Sequence, residues 1–256
     1  MDSRTIVFVH GMFVTPGCWD GWVGFFEERG YRCFAPPWPF HDRPPARLRR
    51  EHPNVDLARL TLADLVSYHE QFVRALPEAP ILIGHSMGGL LVQLLVQRGL
   101  GAAGIAIDSA PPMGVVTTKF SFLKSNFPVL NLFALRRPYL MSFQGFQYAF
   151  VGTLRPGQQV AAYDAHVVPE SRRVGLGSLS RTARIDFSRP HVPLLLIAGS
   201  EDRCIPASLN RRNYAKYRDA GSTTDFREFP GRTHFIIAQD GWEEVAGCAL
   251  EWISRQ

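Results

Sequence analysis

The chain has 256 residues, 46% hydrophobic and 20% charged, which suits one globular core and excludes a disordered chain. The net charge is only +5, and much of the excess sits in Arg43, Arg47, Arg49 and Arg50 beside Pro44, Pro45 and Pro53, which reads as a solvated loop. With no zinc finger, no RNA-binding aromatic signature and no basic helix, nucleic-acid binding is not expected.

The elements follow one another as strand, then helix. Ile6–Val9 reads as a buried strand, followed by the loop His10-Gly11-Met12-Phe13. Trp19, Trp22, Val23 and Phe26 recur at helical spacing. Arg32–Ala35 is a second strand, and Trp38 and Phe40 follow it. Thr61 with Asp64 forms a capping box that opens a helix ended by Pro77. Ile81–Ile83 is a third strand. Behind it, Leu90 to Val96 is apolar nearly all round, so that helix belongs in the centre. Gly104–Ile107 is a fourth strand.

The rhythm then breaks. Between Pro111 and Pro193 no strand–helix repeat is visible, but large apolar residues abound, among them Phe120, Phe122, Phe127, Phe143, Phe146 and Phe150. A structureless loop of that length is implausible in a compact domain, so a helical cap is predicted over 111–190. Residues 1–110 and 191–256 then form the core. Leu194–Ala198 and Thr224–Phe229 complete the strands, the last with the alternation of an edge. Asp240 with Glu243 predicts a second capping box before the final helix. The alternation argues a mostly parallel sheet of about six strands with helices on both faces. Ligands bind beyond the carboxyl ends of such strands.

Three loops at those ends carry chemistry. Gly84-His85-Ser86-Met87-Gly88 is G-x-S-x-G between a predicted strand and a predicted helix, the setting of a nucleophile elbow. The turn is tight, so small residues must flank the serine, and the helix start offers unpaired N–H groups to an oxyanion. A serine hydroxyl needs a base, and His234, just after the last strand, is the candidate. The imidazole needs an acid. Asp202 follows the fifth strand and is favoured, with Asp108 and Glu201 as rivals. The backbone N–H groups of Met87 and Met12 are the expected oxyanion donors, with Phe13 the alternative to Met12. His10 is expected to bond within its own loop rather than to react.

Together these motifs resemble the α/β-hydrolase superfamily along nearly the whole chain. Val7-Phe8-Val9-His10-Gly11 is similar to its first core strand and oxyanion loop. Gly84 to Gly89 resembles its elbow, Gly199 to Pro206 its acid loop and Pro230 to Phe235 its histidine loop. Three features depart from the pattern. The first strand read here already bears the oxyanion loop, so the family's two leading strands are not expected, Thr233 stands where glycine is common, and the cap is unusually aromatic. Ser86 sets the chain apart from the superfamily's dehalogenases and epoxide hydrolases, which use an aspartate.

The resemblance implies a serine hydrolase acting through an acyl-enzyme, without metal or organic cofactor. A small or medium carboxylic ester with an apolar acyl or aromatic part is the expected substrate, with Phe13, Trp38, Phe143 and Phe146 as candidate pocket residues. Thioesterase, lactonase, carbon–carbon bond hydrolase and perhydrolase chemistry would use the same residues, and a non-catalytic receptor could share the fold. Cys18, Cys33, Cys204 and Cys248 are scattered without a CxxC pair, so neither a disulfide framework nor a thiolate metal site is expected. With no signal-peptide core and no apolar run of spanning length, a cytoplasmic protein without a cleaved leader is expected. The sequence leaves the oligomeric state open.

Overall fold

Six short apolar runs pair side by side. In a computed structural model, which describes residues 3–256, the elements run in chain order β1 (Thr5–Val9), α1 (Asp20–Glu27), β2 (Arg32–Phe34), α2 (Pro45–Arg50), α3 (Leu62–Arg74), β3 (Ile81–His85), α4 (Met87–Val96) and β4 (Ala103–Ile107). They continue as α5 (Phe120–Asn126), α6 (Phe143–Ala149), α7 (Pro156–His166), α8 (Arg172–Gly177), β5 (Leu194–Gly199), α9 (Ala207–Tyr214), β6 (Thr224–Phe229) and α10 (Trp242–Ser254). All pairings are parallel, in the order β2-β1-β3-β4-β5-β6.

Burial follows from that order. The inner strands β1, β3, β4 and β5 are buried at every position, so both of their faces must be apolar. The edge strands β2 and β6 are only partly buried and carry charge, as edges should. On one face Trp19, Trp22 and Phe26 pack on Phe8, and α10 joins them through Val245, Ala249 and Ile253. On the other face α3 and α4 cover the sheet, and α4 is buried along its whole length.

The two predicted capping boxes fare differently. At Thr61 both reciprocal bonds form, with Asp64 N–H donating to Thr61 Oγ1 at 3.3 Å and Thr61 N–H to Asp64 Oδ2 at 2.9 Å. At the last helix the prediction fails. Gly241 takes the N-cap position in the left-handed region (φ 77°), and no side chain caps the helix. Asp240 turns away and accepts from Gln158 Nε2 at 2.6 Å.

The helices α5 to α8 lie between β4 and β5 in the sequence. Named contacts fix this segment to the sheet loops. Val168 N–H donates to Phe13 O at 2.9 Å, and Phe235 N–H to Phe150 O at 3.1 Å. Arg49 donates to Val167 O and Asp164 O at 2.8 and 2.9 Å. A fully buried ion pair joins His41 Nε2 to Glu170 Oε2 at 3.3 Å. Burial alone would lower the His41 pKa, but the facing carboxylate outweighs it and leaves it raised. The four cysteines form no disulfide. Among the described residues no helix is long and apolar enough to cross a membrane.

Candidate active site

The serine sits where β3 hands over to α4. Ser86 has φ 58° and ψ −119°, a conformation that costs a non-glycine residue about 1–3 kcal/mol. Its surroundings hold it there. Ser86 N–H donates to Ile107 O at 2.9 Å, and Ser86 O accepts from Gly89 N–H and Ala110 N–H at 3.0 and 2.9 Å. The flanking glycines are compulsory. A Cβ on Gly84 would stand 2.2 Å from Gly88 O, and one on Gly88 only 2.0 Å from Val9 O. A Cβ on Gly11 would come within 2.8 Å of the serine's own Cβ, so that glycine lets the loop after β1 approach the hydroxyl.

His10 fixes that loop. Its Nδ1–H donates to Gly11 O at 2.9 Å, and its Nε2 accepts from Trp38 N–H at 3.2 Å. This pair of partners requires the neutral ring. Burial, and then the charge of His41, keep its pKa well below the usual histidine value. The ring also stacks on Trp38, with centroids 4.4 Å apart.

Three separated loops converge at the strand ends. His234 Nε2 lies 3.0 Å from Ser86 Oγ, and His234 Nδ1 lies 2.6 Å from Asp202 Oδ2. Asp202 Oδ1 accepts from Cys204 N–H and Ile205 N–H, each at 2.7 Å, which aims the other oxygen at the imidazole. Both His234 and Asp202 are buried. Burial holds the His234 pKa down at about 3, so the ring is neutral at rest and free to accept a proton. The histidine loop is itself pinned. Thr233 Oγ1 and N–H both donate to Gln239 Oε1 at 2.9 Å, and His85 Nε2–H donates to His234 O at 2.8 Å.

The rival acids are placed elsewhere. Glu201 is exposed. Asp108 is buried at the end of β4 with φ 42°, and its Oδ1 accepts from Gly199 N–H at 2.8 Å. Burial, and then the charge of Asp202, push the Asp108 pKa well up. Asp202 accepts from two backbone N–H groups and the imidazole, whereas Asp108 accepts from one N–H, so a single negative charge belongs on Asp202. His85, Asp108 and His234 bring ligand-type atoms within 4.8 Å of one another. Both nitrogens of His234 are already engaged with Ser86 and Asp202, so the ring has no free nitrogen to offer an ion.

A cavity of about 300 Å³ opens above Ser86. Met12, Phe13 and Met87 lie on its floor, with Phe122, Val129 and Phe150 among its walls. No charged side chain lines it, and its polar side chains are limited to Ser86, Thr117, Asn126 and Ser178. Among the described residues neither the Met12 nor the Met87 backbone N–H has an intramolecular acceptor.

Three of the four predicted pocket residues are displaced from this cavity. Trp38 is fully buried under His10 and borders a different depression near Pro37 and Asp42. Phe143 packs edge-on against Tyr163, with centroids 5.5 Å apart. Phe146 is fully buried one helical turn behind Phe150, stacked on it at 5.0 Å. Phe150 is the aromatic that reaches the site, edge-on to His234 at 4.6 Å. Nothing in the sequence distinguishes it from its neighbours, because which of several clustered aromatics faces the serine depends on where α6 ends.

Comparison with known proteins agrees with this architecture. The profile described as "Alpha/beta hydrolase family" matches residues 6–247. A pyrethroid hydrolase of Sphingobium wenxiniae is 30% identical over 101 residues, a match spanning 38% of this chain and 32% of that protein. The monoacylglycerol lipase of Paleococcus ferrophilus superposes with a TM-score of 0.70 at 19% identity, covering 98% of this chain and 94% of the other. A pyrethroid hydrolase from Sphingobium faniae JZ-2 superposes with the same score at 16% identity, covering 98% and 97%. At such identities the superpositions speak to the fold.

Proposed function

From the premise that the chain belongs to the alpha/beta hydrolase family, we propose that it is a serine hydrolase of small or medium carboxylic esters with an apolar acyl or aromatic part. The observation that carries this reading is the unbroken chain Ser86 Oγ, His234, Asp202, with links of 3.0 and 2.6 Å. His234 Nε2 takes the hydroxyl proton as Ser86 Oγ attacks the ester carbonyl. Asp202 holds the ring with its Nδ1 proton inward and stabilises the imidazolium. The carbonyl oxygen becomes an oxyanion, which the backbone N–H groups of Met12 and Met87 receive. His234 then gives its proton to the departing alkoxide oxygen. Water repeats the sequence on the acyl-enzyme, releasing acid and returning the proton to Ser86.

Substrate class is read from the cavity. An uncharged, mostly apolar lining favours a neutral ester, because a charged group would lose its hydration without gaining a partner. A volume of about 300 Å³ sits at the lower end of ligand pockets, which suits a small or medium acyl group. In this reading residues 111–190 act as a cap over the core formed by 1–110 and 191–256, and the cap sets chain-length preference. The test is turnover of a series of p-nitrophenyl esters by the wild type and by Ser86→Ala. The variant is expected to lose at least about 10⁴-fold in kcat with an unchanged melting temperature. A variant as active as the wild type would refute the mechanism.

A further inference from the structure

The outer face of α5 is apolar where a surface helix is normally polar. Phe120 and Phe127 are 74% and 79% exposed, and Leu123 between them is 52% exposed. Spacings of three and four residues set them in one stripe. Leu123 carries the stripe to the mouth of the Ser86 cavity, where Val116 and Leu179 also stand mostly exposed. A contiguous apolar surface of this kind marks an interaction site.

Charge narrows what covers it. From Pro111 to Tyr163 the chain has no Asp or Glu, but it has Lys119, Lys124, Arg136, Arg137 and Arg155. Lys119 and Lys124 flank Phe120 and Leu123. Arg212 donates to Val116 O at 2.9 Å, and Arg181 follows Leu179 by two residues. Among the described residues none of these four exposed cations lies within 4 Å of a carboxylate. A second copy docked face to face would press this cationic rim against its own twin. An acidic protein partner would seal the mouth that an apolar ligand must enter. An anionic bilayer meets neither objection. Phenylalanines enter the acyl boundary, cations stay among the headgroups, and the mouth opens onto the phase where apolar molecules dissolve.

We propose that the α5 stripe and its cationic rim are a docking surface for an anionic lipid bilayer, which sets the mouth of the Ser86 cavity at the lipid interface. Docking itself requires no chemistry at Ser86. Its consequence, delivery of apolar esters from the lipid to the serine, rests on the hydrolase reading.

The full chain should be sedimented with unilamellar vesicles of phosphatidylglycerol and phosphatidylcholine, and with vesicles of phosphatidylcholine alone. Binding to the anionic vesicles is expected, at least about tenfold weaker on the neutral ones and similarly weakened when salt rises from about 0.1 to 0.5 M. The double variant Phe120→Ser with Phe127→Ser should abolish sedimentation. Lys119→Glu with Lys124→Glu should weaken it by about tenfold or more. Both should still hydrolyse a water-soluble short-chain ester, since none of these side chains lines the cavity. Failure to sediment with anionic vesicles, equal binding to neutral ones, or wild-type behaviour of the double phenylalanine variant would overturn the proposal. So would a wild-type dimer that this variant converts to monomer, because the stripe would then be covered by a second copy. A wild type that sediments but hydrolyses no ester would strike the hydrolase reading and leave the docking surface standing.

Discussion

The floor and the roof of the cavity are built on different principles. Below the hydroxyl, the sheet loops fix every group through backbone contacts: glycines with no room for a methyl, carbonyls that hold Ser86, and amides that aim Asp202. Above it, α5, α8 and the residues around them contribute mostly apolar side chains, with Ser125 Oγ and Asn126 Nδ2 tying α5 to Arg203 O and Cys204 O. The floor is fixed by steric exclusion and hydrogen bonds, so it tolerates almost no change. The roof meets the cavity with apolar side chains, whose packing accepts substitutions of similar volume. On the proposed hydrolase reading, chemistry resides in the loops of the sheet, and selectivity in the inserted helices.

That contrast can be broken or sharpened experimentally, starting with the two buried carboxyls of the floor. Asp202→Asn should lower kcat by about 10³–10⁴-fold, because an amide cannot hold the Nδ1–H tautomer or stabilise the imidazolium. Asp108→Asn should lower it by less than about tenfold, since an amide resembles a neutral acid and its oxygen can still accept from Gly199 N–H. Steady-state kinetics on both variants decide the matter, and equal losses would erase the distinction between the two acids.

In the roof, Phe150→Leu should act on selectivity. Its ring packs edge-on to His234 and walls the cavity, so the smaller side chain enlarges the acyl site. The ratio of kcat/KM between longer and shorter esters should rise by about three- to tenfold, while kcat on the shorter ester changes little. Measuring acyl-chain profiles of both proteins checks this, and a uniform fall across all chain lengths would instead place Phe150 in the chemistry.

The smallest effect is spread over the imidazoles. Burial lowers the pKa values of His10, His69, His85 and His234. Between about pH 6.5 and 4 the unfolded chain takes up protons at these positions and the folded chain does not. Stability should therefore fall with falling pH, each group giving up to about 1.4 kcal/mol per pH unit. Asp108 and Asp202, raised by burial, oppose the trend with the reverse sign but are outnumbered. His41 is raised by Glu170, so its contribution is present at low pH and lost as pH climbs through its folded pKa. Urea unfolding at pH 5 and pH 7 should show lower stability at pH 5. Equal values would mean that the neutral buried rings do not outweigh the opposing groups.

How much of this was visible in the residues follows the same division. The sheet was legible because its inner strands are short, continuous apolar runs, as doubly covered parallel strands are. The elbow was legible because G-x-S-x-G is a local pattern, although Gly88 answers to Val9 O from another strand. Beyond local spacing the sequence falls silent. The Asp240–Glu243 pattern looked like a cap, but Gly241 adopts φ 77° and Asp240 bonds Gln158 from another helix. The inserted segment has helices of only six to eleven residues, too short for a period to emerge. Trp38, Phe143 and Phe146 stand near the site in sequence logic, yet packing turns them to other neighbours. The His41–Glu170 pair carries no sequence signal, because its partners meet only once the inserted helices close over the loop after β2.

The central claim is that Ser86 is the nucleophile, and covalent labelling addresses it most directly. Treatment of the folded protein with a fluorophosphonate, followed by peptide mass mapping, should yield a single stoichiometric adduct on Ser86 that is absent in His234→Ala. An adduct on another residue, or none at all, would contradict the account.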